Sequence, residues 1–172
     1  RQGNERLQGS AIVQKARYLL DEFHTANLAL PRVSGVEDTR WISPAQSWYK
    51  LNVDGATFGA THSSGVRAVI RDDVGYVLVA LSKNIPCPLG ALECEAKAME
   101  EGITFAWDMG FRDVMFECDS KVVSDSINGY YESPATIGNI IDGIRHKLKD
   151  FQQVLVSHVR RHGNRPAHLL AQ

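Results

Sequence analysis

Between residues 48 and 57 apolar and polar side chains alternate, with Leu51 and Val53 on one face and Lys50, Asn52 and Asp54 on the other. The pattern predicts a strand that delivers Asp54 to a tight exit at Gly55. Two further strands are predicted over 65–72 and 75–83, and Asp72-Asp73-Val74-Gly75 between them is a hairpin turn signal. Strands joined this tightly run antiparallel. Pro86 and Pro88 close the third. The period then changes. Leu92, Ala96, Met99, Ile103 and Ala106 line one stripe of a helix over 91–109, and Gly110 takes a C-cap position.

A fourth strand over 112–118 has Val114, Phe116 and Cys118 on one face. It leads at Asp119-Ser120 into a helix over 120–128 whose Val122, Val123 and Ile127 face inward. A loop over 129–134, a helix over 135–149 and a strand over 153–159 follow, the last with Val154, Val156 and His158 on one face. The basic loop Arg160-Arg161-His162-Gly163 runs to Asn164, and Pro166 fits the start of a final helix.

Upstream, residues 1–9 are polar, and Ile12, Ala16, Leu19, Leu20 and Phe23 recur at helical steps within 10–28, with Ser10 as an N-cap. Residues 28–46 carry Pro31, Gly35 and Pro44 and read as a linker. The division expected is a helix and linker over 1–46 and a folded domain over 47–172. The order β-β-β-α-β-α-α-β-α implies an α/β fold. Its mixed five-stranded sheet has three antiparallel strands, then parallel ones, and is flanked by helices. Sites in such sheets form where strands end beside helix starts.

Composition changes this picture little. The chain has 172 residues, 44% hydrophobic and 23% charged, as an ordinary single domain does. No apolar run approaches the roughly 18 residues of a membrane span, so no membrane partner is expected. Arg1-Gln-Gly-Asn-Glu-Arg-Leu7 does not resemble a signal peptide. Cys87, Cys94 and Cys118 form no CxxC pair. They point to a reducing, intracellular setting, nuclear or cytoplasmic, rather than to a disulfide framework. The net charge of −1 gives no bulk affinity for nucleic acid, but its distribution is uneven. Residues 93–125 hold nine acids against three bases, and residues 143–172 hold six Lys or Arg against Asp150 alone. One side could gather cations and the other phosphates; two ordinary solvated surfaces would look the same.

Three carboxylates sit oddly for their elements. Asp is depleted in strands, yet Asp54 and Asp119 lie at strand ends. Glu95 falls inside an apolar helical stripe, where a carboxylate needs a partner or a metal. Each has a plainer alternative: a turn former at Asp54, a boundary residue paired with Lys or Arg at Glu95, a helix cap at Asp119 or Ser120. If the three meet, their repulsion calls for a cation, and oxygen-only ligands select Mg²⁺ or Mn²⁺. Two such ions about 4 Å apart support in-line phosphoryl transfer.

Four segments carry a resemblance: Lys50-Leu-Asn-Val-Asp54-Gly-Ala, Glu95-Ala-Lys-Ala-Met-Glu-Glu-Gly-Ile103, Cys118-Asp119-Ser, and His158-Val-Arg-Arg-His-Gly-Asn164-Arg-Pro-Ala-His168-Leu-Leu-Ala. In this order and spacing they resemble the type 1 ribonuclease H domain. The plant branch, found as stand-alone domains and at the end of non-LTR retrotransposon polyproteins, is the more similar. The resemblance covers about residues 44–172. It implies an endonuclease dependent on Mg²⁺ (or Mn²⁺) that cuts the RNA strand of RNA–DNA hybrids and leaves a 5′-phosphate and a 3′-hydroxyl. It also implies upstream domains where the chain belongs to a larger polyprotein.

Asp54, Glu95 and Asp119 match three of the family's four acidic ligands. The fourth position, four residues after Asn164, holds His168 instead. His158 stands where catalytic members carry a His that assists proton transfer or product release. Arg160, Arg161, Asn164 and Arg165 are the candidate nucleic-acid contacts, with plain solvation as the alternative for the arginines. Loss of the fourth acid leaves a second reading open, a weakened or inactive nucleic-acid-binding or interaction module.

Overall fold

Alternation builds the sheet. In the computed structural model, which describes residues 42–160 and Asn164, three strands come first: β1 (Tyr49–Phe58), β2 (Ser63–Arg71) and β3 (Val77–Ile85). Helix α1 (Ala91–Asp108) follows, then β4 (Asp113–Cys118), α2 (Lys121–Asn128), α3 (Gly138–Leu148) and β5 (Gln153–His158). The predicted leader helix over 10–28 and the final helix after Pro166 lie outside the described residues. None of the helices among the described residues is long and apolar enough to cross a membrane.

The sheet order is β3-β2-β1-β4-β5. β1 pairs antiparallel with β2, and β2 with β3; β1 pairs parallel with β4, and β4 with β5. This is the mixed five-stranded sheet that the alternation predicts. The β2–β3 turn forms because Oδ1 of Asp72 accepts from the backbone N–H groups of Val74, Gly75 and Tyr76 at 3.1, 2.8 and 2.8 Å. Gly75 supplies φ of 105°, a conformation that side chains resist.

One face of the sheet is apolar and covered by helices. Leu51, Val53, Ala68, Ile70, Val114 and Phe116 join Ala96, Met99, Ile103 and Ala106 of α1 and Ile141 and Ile144 of α3 in a single buried cluster. α1 lies unusually close to β1. A Cβ on Gly102 would stand 2.5 Å from Cγ1 of Val53, and one on Gly55 would stand 2.7 Å from the carbonyl oxygen of Cys94. The sequence pattern has Gly55 ending its strand. Instead β1 runs on to Phe58, and the absent side chain serves the approach of the α1 backbone. In α2, Val123 and Ile127 are buried as expected, but Val122 is 39% exposed. At one residue per 100° of turn, adjacent valines cannot both face the core.

The second face of β1 is polar, as the alternation predicts, and it is also buried: Lys50, Asn52, Arg71 and Glu117 are all less than 9% exposed. Nζ of Lys50 donates to Oε1 of Glu117 at 2.7 Å and Nδ2 of Asn52 to Oε2 at 3.0 Å, while Nη2 of Arg71 donates to Oδ1 of Asn52 at 3.0 Å. The chain of bonds crosses β2, β1 and β4 and uses both oxygens of Glu117, as burial of a charge requires. Burial pulls the Arg71 guanidinium down to about 10, with Glu117 opposing the shift.

Two outcomes follow from these contacts. Glu117→Leu takes the buried carboxylate from Lys50 and Asn52 and should cost about 3–5 kcal/mol, while Lys50→Met with Glu117→Leu should recover most of it. Urea denaturation of the three proteins measures both effects, and an equal destabilisation in the double variant would mean that the pair is not coupled. Gly55→Ala drives a Cβ into the α1 backbone and should cost about 1–3 kcal/mol by overpacking, read in the same experiment.

Candidate active site

β1 and β4 stay paired only as far as Asn52 and Glu117. Beyond that point β1 continues beside β2, and β4 ends at Cys118. The parting strands leave an opening at the carboxyl end of β4. Asp54 lies on β1 at this opening, inside the strand rather than at its end, and is 6% exposed. Asp119 follows β4 directly. The cap of α2 is the Ser120 hydroxyl, which accepts from the N–H of Val123 at 3.4 Å. Capping therefore falls to Ser120 and not to Asp119.

Glu95 is the third member. It stands near the start of α1, which Gly55 admits against β1 one residue beyond Asp54. Its helical neighbour Lys97 pairs with Glu100, and Lys83 of β3 with Glu101 at 2.8 Å. These two acids thus tie α1 locally and to the sheet. Asp54, Glu95 and Asp119 each offer a carboxylate oxygen, and the three oxygens lie within 4.8 Å of one another. The donor set is oxygen only and spaced to share small ions, so it fits Mg²⁺ or Mn²⁺.

The cluster opens into a crevice lined by Ala91, Leu92, Glu95, Asp119, Ser120, His158 and Arg160. His158 ends β5 opposite Cys118, and both His158 and Arg160 are exposed. His168, Arg161 and Arg165 lie outside the described residues. Asn164, a candidate nucleic-acid contact, is instead 1% exposed, and its Nδ2 donates to the Val53 carbonyl at 2.8 Å. It thus ties the last motif to the strand that carries Asp54.

Two thiols border the cluster. Burial is the main cause that raises both, and it takes Cys118 to about 12. Sγ of Cys94 donates to the carbonyls of Ala56 and Gly65 at 3.4 and 3.7 Å. Both shifts disfavour the thiolate, which is the reactive species of a cysteine.

The pattern of the sequence does not single out Arg67. Antiparallel pairing sets it directly opposite Asp54, on the same face. Burial lowers its guanidinium pKa and the charge of Asp54 raises it. A signal for it exists: the turn at 72–75 fixes the β2–β3 hairpin, and Arg67 and Arg71 share one face of β2 at an even spacing.

With this geometry in view, comparison with known proteins is informative. The family model described as "Reverse transcriptase-like" matches residues 52–172. The "Putative ribonuclease H protein" of Arabidopsis thaliana is 29% identical over 131 residues, which is 76% of this chain and 21% of that relative. The chain therefore spans only a small part of that relative's length.

Among solved structures, RNase H1 from the halophilic archaeon Halobacterium salinarum is 22% identical with a TM-score of 0.67, covering 72% of this chain and 94% of that one. LC11-RNase H1, solved in complex with an RNA/DNA hybrid, is 20% identical with a TM-score of 0.63, covering 71% and 92%. The prototype foamy virus protease-reverse transcriptase aligns at 18% identity and a TM-score of 0.57, covering 81% of this chain and 22% of the viral one. The fold is shared with all three. The strand order, the family match over 52–172 and the plant relative together make the chain a member of the reverse transcriptase-like family, with a ribonuclease H domain of the plant type.

Proposed function

We propose that the domain is a divalent-metal-dependent endonuclease that hydrolyses the RNA strand of RNA–DNA hybrids. The observation that carries this reading is the convergence of Asp54, Glu95 and Asp119 within 4.8 Å at the head of an open crevice. The hybrid bound by LC11-RNase H1 supports the substrate class. Asp54, Glu95 and Asp119 would hold Mg²⁺ or Mn²⁺, with His168 as a fourth, nitrogen ligand. Paired ions of this kind activate water and stabilise the leaving oxygen.

The chain's own groups do the rest. Three carboxylates from β1, α1 and the β4–α2 corner fix one point against the crevice. Arg160 on its rim donates to backbone phosphate, with Arg161 and Arg165 flanking the same motif. Water adds to the phosphodiester phosphorus as the bond to the 3′ oxygen breaks, giving a 5′-phosphate and a 3′-hydroxyl. One proton leaves the water and one reaches the 3′ oxygen, and the imidazole of His158, which lines the crevice, would carry a proton. Three free cysteines among the described residues fit a reducing compartment, nuclear or cytoplasmic. The limited span against the Arabidopsis relative fits a domain that works with upstream domains, as in a retrotransposon polyprotein.

Replacing a fourth carboxylate with an imidazole at 168 removes one negative charge and one oxygen, which weakens Mg²⁺ more than Mn²⁺. A labelled hybrid should be cut weakly with Mg²⁺ and clearly faster with Mn²⁺. His168→Asp should raise the rate, and Asp54→Asn or EDTA should abolish it. Cleavage by Asp54→Asn at the original rate would remove the carboxylate cluster from the chemistry. The absence of cleavage by any of these proteins with either ion would make the domain a binder that does not cut. In that case the triple change of Arg160, Arg161 and Arg165 to Ala should flatten the salt dependence of hybrid affinity by about one unit for each phosphate that is no longer neutralised.

A further inference from the structure

Three carboxylates converge on one point, and an arginine lies across the β1–β2 ladder from one of them. Arg67 is the cross-strand partner of Asp54, and directly opposed residues of an antiparallel pair project to the same face about 5 Å apart. Its Nε and Nη1 are buried and make no hydrogen bond among the described residues. Buried donors on a cation are costly unless a charge compensates them. The neighbouring compensation is the field of Asp54, which favours the charged guanidinium while burial opposes it. A positive charge so placed offsets part of the negative charge of the carboxylates and repels any further cation there.

We propose that Arg67 is a resident counter-cation of the carboxylate cluster, relieving its repulsion when no ion is bound and weakening its hold on divalent cations. The inference rests on the metal-binding reading of Asp54, Glu95 and Asp119. It adds that this chain carries a competing charge inside its own site, opposite the carboxylate embedded in the central strand. Removing that charge should tighten ion binding and destabilise the ion-free fold, two effects of opposite sense that poorer packing alone would not produce together.

The test is calorimetric titration of Mn²⁺ into the whole chain and its Arg67→Ala, Arg67→Gln and Arg67→Lys variants, with the Mn²⁺ electron paramagnetic resonance signal as an independent measure of free ion. Arg67→Ala and Arg67→Gln should bind Mn²⁺ about tenfold tighter, the size expected for a unit charge near a partly solvated ion. Arg67→Lys, which keeps the charge, should remain close to the original. In EDTA, both neutral variants should melt lower than the original chain, and added Mn²⁺ should narrow the difference.

Unchanged or weaker Mn²⁺ binding by a folded Arg67→Gln would overturn the proposal while leaving the metal site standing. Equal tightening by Arg67→Lys would also overturn it, since the effect would then be steric. If the original chain and the neutral variants all fail to bind Mn²⁺ by both readouts, the metal-binding reading itself falls, and this proposal with it.

Discussion

Glu117 accepts hydrogen bonds from Lys50 and Asn52 on the buried second face of the sheet, and the site's geometry depends on that contact. Residues 117 and 52 are also the last partners in the parallel pairing of β4 with β1. Two residues further along the chain from each stand Asp119, just past the end of β4, and Asp54. A shift of one residue between these strands would turn every side chain of one of them to the opposite face. The charged bridge therefore fixes the register that sets two carboxylates side by side, at the point where the strands part. Arg71 extends the same chain of bonds through Asn52 to β2, so the strand that carries Asp54 is held from both sides.

The third carboxylate needs a different constraint. A helix normally packs on a sheet at a distance set by side chains, which would keep Glu95 from Asp54. Gly55 and Gly102 remove the side chains at two points of contact, and α1 comes down onto β1. At Gly55 the neighbours are the backbone atoms of Cys94 and Glu95, beside the residue that follows Asp54. Packing force from the apolar stripe of α1 thus works against electrostatic repulsion among the acids. The core supplies that force, because Ala96, Met99 and Ile103 are fully buried within one turn or two of Glu95.

The elements are legible in the sequence because each keeps one period over most of its length. The three odd carboxylates are legible for a related reason: each breaks the rule of its own element. Gly55 misleads, because a glycine after a strand aspartate reads as a turn, and only the position of α1 shows what it does. The buried network is not legible. Lys50, Asn52 and Arg71 have the residue types of a solvated face, and a period of two reports which face a residue is on without reporting whether water reaches it. Asn164 reads as a contact to nucleic acid because it lies in a basic loop. Its bond to the Val53 carbonyl spans 111 residues of chain, a separation that no local pattern encodes. Arg67 escapes for the same reason as the network, since its meaning comes from the strand opposite.

These constraints divide the work of holding charge. Lys50 and Glu117 are buried and bonded to each other, and Arg71 joins them through Asn52, so they can serve as structure. Asp54, Glu95 and Asp119 are brought together by backbone register and by a helix, with like charges facing one another, and on the proposal above Arg67 would offset part of that charge. What remains is a focused negative site opening on a crevice whose rim carries Arg160. On the proposed nuclease reading, a polyanionic backbone entering that crevice would meet both Arg160 and the repulsion of the carboxylates. Cations held by the carboxylates would relieve that repulsion, so on the proposed reading backbone binding there would depend on bound ions. Ion and polyanion would then be coupled through charge.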